Sequence, residues 1–120
     1  MKALLDTNIL IDYLNGIEAA RAEISRYSEP CISPISWIEV MVGVNAGEEK
    51  LVRRFLAGFR QIAIDHRIAE RAVAIRRDHR IRLPDALIWA SAQTADALLV
   101  TRNSKDFPGD EPGVRVPYWL

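Results

Sequence analysis

The stretch Ala3, Leu4, Leu5, Asp6, Thr7, Asn8 constrains this chain more than any other, because an apolar run ends abruptly on a carboxylate and a helical pattern begins directly behind it. An unbroken apolar run this short suits a strand covered on both faces, as in a parallel sheet. Thr7 is placed to cap the helix that follows, in which Leu10 and Leu14 stand four apart while Ile11 and Tyr13 widen the apolar face. Asp6 therefore falls at the carboxyl end of a buried strand, the edge where open α/β sheets bind ligands. A buried Asp needs a partner or a metal ion, so this position is a candidate site.

The rest of the chain repeats the alternation. Gly16 breaks the first helical pattern, and residues 17 to 27 resume it with Ala20, Ile24 and Tyr27 on one side. Cys31 and Ile32 form a short strand, and Ser33 with Pro34 is a cap-then-proline helix entry. The helix behind it carries Ile35, Ile38 and Val42 on one stripe and Trp37, Met41 and Val44 on the next, so it is apolar around much of its circumference. Such a helix is buried, or divided between the core and a subunit interface. A turn at 45 to 48 precedes a helix marked by Leu51, Phe55 and Phe59, and Gln61 to Ile64 read as a third strand. Asp65 caps a further helix with Ile68, Ala72 and Ile75 inward. Leu83, Pro84 and Asp85 start another, running to about Thr94, and Ala97 to Val100 form the last clear buried strand. Pro108, Gly109, Pro112 and Gly113 make a loop, with Val114 to Val116 as an edge strand. Strand alternating with helix, without internal repeat, predicts an α/β fold around a parallel sheet of four to five strands, as one domain over residues 1–120.

Composition sets the limits on chemistry. The 16 basic and 16 acidic residues cancel, so net charge says nothing of a nucleic-acid partner. Their distribution does: residues 53 to 82 hold nine arginines against Asp65, Glu70 and Asp78. Cys31 is the only cysteine and His66 and His79 the only histidines, which excludes an intrachain disulfide and argues against zinc sites rich in either residue. Only three apolar residues separate Lys2 from Asp6, too few for a signal peptide, and no run reaches the roughly 18 apolar residues of a membrane span. A soluble, cytoplasmic protein is expected.

Four acids stand out by position: Asp6 after the first strand, Glu39 within an apolar helix, Asp85 at a helix start, and Asp106 beyond the last strand. Each has an ordinary explanation in helix capping, dipole compensation or solvated turns, and Glu39 has the spacing of a capping box with Ser36. Ser33 and Pro34, however, leave Ser36 inside the helix. Strand ends of a parallel sheet share one edge, so the acids converge, and carboxylates within about 5 Å of one another repel by several kcal/mol unless a cation joins them. Oxygen donors alone select Mg²⁺ or Mn²⁺ over zinc, and such a site activates water and stabilises charge at a phosphodiester.

Four motifs in order, LLDTNILIDYL, ISWIEVMVG, RLPDALIWASA and LLVTRNSKDF, span essentially the whole chain and together resemble the PIN-domain ribonucleases, at this length the VapC toxins of bacterial VapBC toxin–antitoxin pairs. The resemblance implies a three-layer α/β/α PIN-like fold and Mg²⁺-dependent hydrolysis of RNA, with Mn²⁺ as a substitute. It puts Asp6, Glu39 and Asp85 on the metal-binding acids. It leaves the fourth place between Asn103 and Asp106, with Asp106 the carrier. Thr101 matches the hydroxyl residue that orients the site, and Asn8 the amide beside the first acid. A VapB-type antitoxin and a homodimer are the implied partners. Arg76, Arg77, Arg80, Arg82 and Arg102 fit a track for the RNA backbone and, equally, a solvated helix face. Trp89 could stack a base, though its helix position favours the core. A receiver domain would pair adjacent acids after the first strand, and a haloacid dehalogenase-type phosphatase would place an Asp two positions after Asp6. Thr7 and Asn8 fit neither.

Overall fold

The computed structural model describes residues 1–108 and 110–120, so Gly109 of the expected closing loop lies outside the described residues. Five strands form one sheet: β1 (Lys2–Leu5), β2 (Glu29–Ile32), β3 (Arg60–Gln61), β4 (Leu98–Val100) and β5 (Val114–Arg115). Their order is β3-β2-β1-β4-β5 and every pairing is parallel. The helices are α1 (Thr7–Leu14), α2 (Glu18–Ser25), α3 (Pro34–Val42), α4 (Glu49–Ala57), α5 (His66–His79) and α6 (Leu83–Thr94), with a short 3₁₀ turn at Ala46–Glu48.

The apolar run at the N-terminus becomes the central strand because it is buried on both sides. Ala3 and Leu5 point into a cluster with Ile9, Leu10, Val40, Val52 and Leu56. Leu4 points the other way, into a cluster with Ile68, Ile75, Ile88, Trp89 and Phe107. One layer thus comes from α1, α3 and α4 and the other from α5 and α6, which gives the expected α/β/α sandwich. Trp89 is a core residue, packed edge-on against Phe107 at 5.7 Å between ring centroids.

Several local expectations need correcting. Asp6, not Thr7, is the cap of α1: its side chain accepts from the Thr7 amide at 2.8 Å, and Thr7 is already helical. The third strand is Arg60–Gln61 rather than Gln61 to Ile64. In α4 the buried face is Val52 and Leu56, with Phe55 and Phe59 partly buried and Leu51 66% exposed. In α3, Ile38 and Val42 face outward and Ser36 and Val40 face the core. The stripes of that helix are apolar all round, so hydrophobicity alone does not choose between them.

Candidate active site

Sheet register assembles the site. Leu5 pairs with Val100, so the next residues on the two strands, Asp6 and Thr101, leave the sheet side by side. The Asp6 amide donates to the Val100 carbonyl at 2.9 Å, and Thr101 Oγ1 donates to Asp6 Oδ2 at 2.7 Å. Thr101 Oγ1 in turn accepts from the Asn103 amide at 3.0 Å. Asn8 bridges the same two segments: its Oδ1 accepts from the Arg102 amide at 3.1 Å, and its Nδ2 lies 3.4 Å from both Asp6 Oδ2 and Thr101 Oγ1. Asn8 and Thr101 thus both stand within hydrogen-bond reach of Asp6.

Two further acids enter from helices. Asp85 lies in the first turn of α6 and is buried. Glu39 is exposed on α3, and its Oε1 accepts from Thr7 Oγ1 at 2.7 Å. Asp6, Asn8, Glu39, Arg82, Asp85 and Asn103 line one cleft of about 190 Å³. Asp106 stands behind Asn103: its Oδ2 accepts from Asn103 Nδ2 at 2.9 Å, and its amide donates to Asn103 Oδ1 at 3.2 Å. The amide, not the fourth acid, faces the cleft.

The electrostatics are unfavourable for a charged Asp6. Burial is the largest influence and pushes its carboxyl up from 3.8 to about 6, against the hydrogen bonds from Thr101 and Thr7 and with added repulsion from Asp85 and Glu39. Burial also raises Asp85, opposed by Arg82 and reinforced by Asp106 and Glu39. Its hydrogen bonds thus fail to compensate the Asp6 charge, and a hard cation among these oxygens would. As the side chains stand, no three His, Cys, Asp or Glu groups among the described residues come close enough to share an ion. Arg82 takes one oxygen of Asp85, and Glu39 is turned to Thr7. Both Arg82 and Glu39 are exposed and free to turn, and the oxygen donors lining the cleft are of the kind a hard divalent cation takes.

The arginines divide. Arg102 is half-buried and committed within the fold: it pairs with buried Asp12 through Nε at 2.7 Å and Nη2 at 3.0 Å. Arg76 donates to the Ile81 carbonyl, and Arg82 donates to Asp85. Arg77 and Arg80 are exposed and make no salt bridge among the described residues. Sequence reasoning missed Asp12 and Glu23, both 4% exposed. Glu23 pairs with Arg115 at 2.7 Å and accepts from Tyr27, and Asp12 also accepts from Tyr118 at 2.7 Å. The only signal available was their position on the inner side of short helices.

The sequence and the fold have known counterparts. Ribonuclease VapC10 of Mycobacterium tuberculosis (strain CDC 1551 / Oshkosh) is 39% identical over 113 residues, covering 88% of this chain and 85% of the relative. A chain of a toxin-antitoxin complex from Klebsiella pneumoniae superposes with a TM-score of 0.93 at 45% identity, covering 98% of this chain and 99% of that one. A chain of the DNA-bound VapBC from Salmonella typhimurium gives 0.80 at 25% identity, covering 100% and 99%. The PIN domain family model matches residues 3–108, a span that runs from β1 past Asp106 and holds every acid discussed above, and the chain belongs to that family.

Proposed function

We propose that this protein is the toxin of a type II toxin–antitoxin pair, a metal-dependent endoribonuclease that hydrolyses RNA phosphodiester bonds at the cleft around Asp6. The observation that carries the reading is a buried strand-end carboxylate left uncompensated by its own hydrogen bonds, with Asp85 and Glu39 in the same cleft. The likeness to a protein named a ribonuclease and to a chain of a toxin-antitoxin complex supports the substrate and the partner class.

Asp6, Asp85 and Glu39 would hold the ion, Mg²⁺ with Mn²⁺ as a substitute, and Asn103 would carry the influence of Asp106 to it. When bound, the ion lowers the pKa of a water molecule and offsets charge on the phosphate. Asp6 is the fixed member, clamped by Thr101 Oγ1 and the Thr7 amide. Glu39 is the adjustable one, exposed and held only through Thr7, which suits a group that orients the attacking water and accepts its proton. Arg77 and Arg80 are the arginines available to an RNA backbone.

A groove of about 530 Å³ with Ile11, Leu14, Val40, Val44 and Val52 on its apolar part and Asn15, Glu39, Asn45 and Glu48 on its polar part suits the docking of an amphipathic segment of a small VapB-type antitoxin. A basic side chain of that segment would satisfy the acids in place of the ion. Cytoplasmic action and a homodimer complete the reading, and among the described residues no helix is long and apolar enough to cross a membrane. The test is cleavage of end-labelled RNA with Mg²⁺ and with EDTA. Asp6→Asn and Asp85→Asn should each lower the Mg²⁺-dependent rate at least about 100-fold, the loss of about 2.7 kcal/mol of transition-state stabilisation. Wild-type rates in both variants would refute the reading.

A further inference from the structure

Arg82 stands against local preference. It caps α6 with extended backbone and makes no side-chain cap bond, and a cation at a helix N-terminus opposes the helix dipole. Its guanidinium instead reaches over the first turn to Asp85, with Nε 3.2 Å from Oδ2. The pair is lopsided: the Arg82 side chain is 71% exposed and that of Asp85 is 8% exposed. Glu39 and Asp106 add to the field that Asp85 sets at the guanidinium. Among the described residues lining the cleft, Arg82 is the only cation.

We infer that Arg82 is a built-in occupant of the cation site, competing with the divalent ion for Asp85, so that the chain holds its own metal affinity below what its acids alone would give. The inference rests on the metal-dependent reading above. An ion joining Asp6 and Asp85 shares the Asp85 carboxylate with Arg82 and must approach the positive charge held there. The guanidinium is solvated on its outer side, so it can leave without unfolding the helix start. The competition is therefore graded and does not close the site.

The probe is Mn²⁺ alone, titrated into the full chain without RNA and followed by water-proton relaxation. Arg82→Gln should bind Mn²⁺ roughly three- to tenfold more tightly than wild type, the range expected for losing one exposed pair and one nearby like charge. Arg82→Lys keeps the charge and should stay within about twofold. Arg77→Gln, which removes an exposed charge outside the cleft, should change little. Equal or weaker binding by Arg82→Gln, or equal tightening by Arg77→Gln, overturns the competition while leaving the acid site standing. Binding by Asp6→Asn as tight as wild type removes the acid site itself, and the competition with it. Tighter binding is a gain that a damaged fold does not produce.

Discussion

At the scale of the residue, Asp6 serves as a helix cap and as the acid of the cleft, and the second role costs stability. Its ordinary pKa of 3.8 rises to about 6 in the folded chain, so between those values the native state binds a proton that the unfolded state has released. The penalty is absent below about pH 4, grows as the pH rises through that window, and is complete above about pH 6, on the order of 3 kcal/mol. Asparagine caps helices as well as aspartate and carries no charge. Asp6→Asn should therefore be more stable than wild type in EDTA at pH 7.5, by on the order of 1 to 2 kcal/mol, with the difference closing toward pH 4. Mg²⁺ should stabilise wild type by mass action and the variant much less. Melting curves at both pH values, with and without the ion, check this, and a variant less stable than wild type throughout would contradict it. The place of Asp6 was legible because a strand end follows from short-range pattern, whereas Asn8 and Thr101 were picked out only by the likeness of their motifs to a family's. Asp12 and Glu23 were not legible, since the arginines that neutralise them lie 90 and 92 residues away.

At the scale of the element, two half-buried ion pairs fasten α1 and α2 to segments far along the chain. Arg102 holds Asp12 of α1, and Arg115 of β5 holds Glu23 of α2. Removing the arginine leaves a buried carboxylate with a tyrosine hydroxyl but no counter-charge, which costs up to about 3 kcal/mol, whereas an exposed arginine contributes about 0.5 kcal/mol or less. Urea unfolding of Arg102→Ala should show a loss in the larger range and that of Arg77→Ala in the smaller. Equal losses would mean that Arg102 acts as a surface residue. Element type and order were readable from periodicity, and helix entries from Ser33 with Pro34 and from Asp65, each of which accepts the amide bond its position predicts. Helix rotation was not. Leu51, Phe55 and Phe59 mark a four-residue repeat as well as Val52 and Leu56 do, and only the sheet decides which pair it covers.

At the scale of the molecule, α3 packs on one side only, leaving Ile38 51% and Val42 81% exposed. That outward stripe adjoins Trp37 and Met41 and is the surface on which a second copy would bury apolar area. A dimer at micromolar concentration is expected in light scattering, and the double change Ile38→Glu with Val42→Glu should give a monomer that keeps the wild-type helical circular dichroism. A monomeric wild type would contradict the assignment. The sheet order carries a different consequence. The central strand is the first to be synthesised, yet its neighbour β4 and the Thr101 hydroxyl that fixes Asp6 come from the other end, 95 residues later. Until those residues are made, Asp6 has no Thr101, and the tethers from Arg102 and Arg115 do not exist. The cleft is thus completed only after β4 has been made, and Asp6 waits through the synthesis of the intervening chain, 95 residues up to Thr101, for the hydroxyl that fixes it.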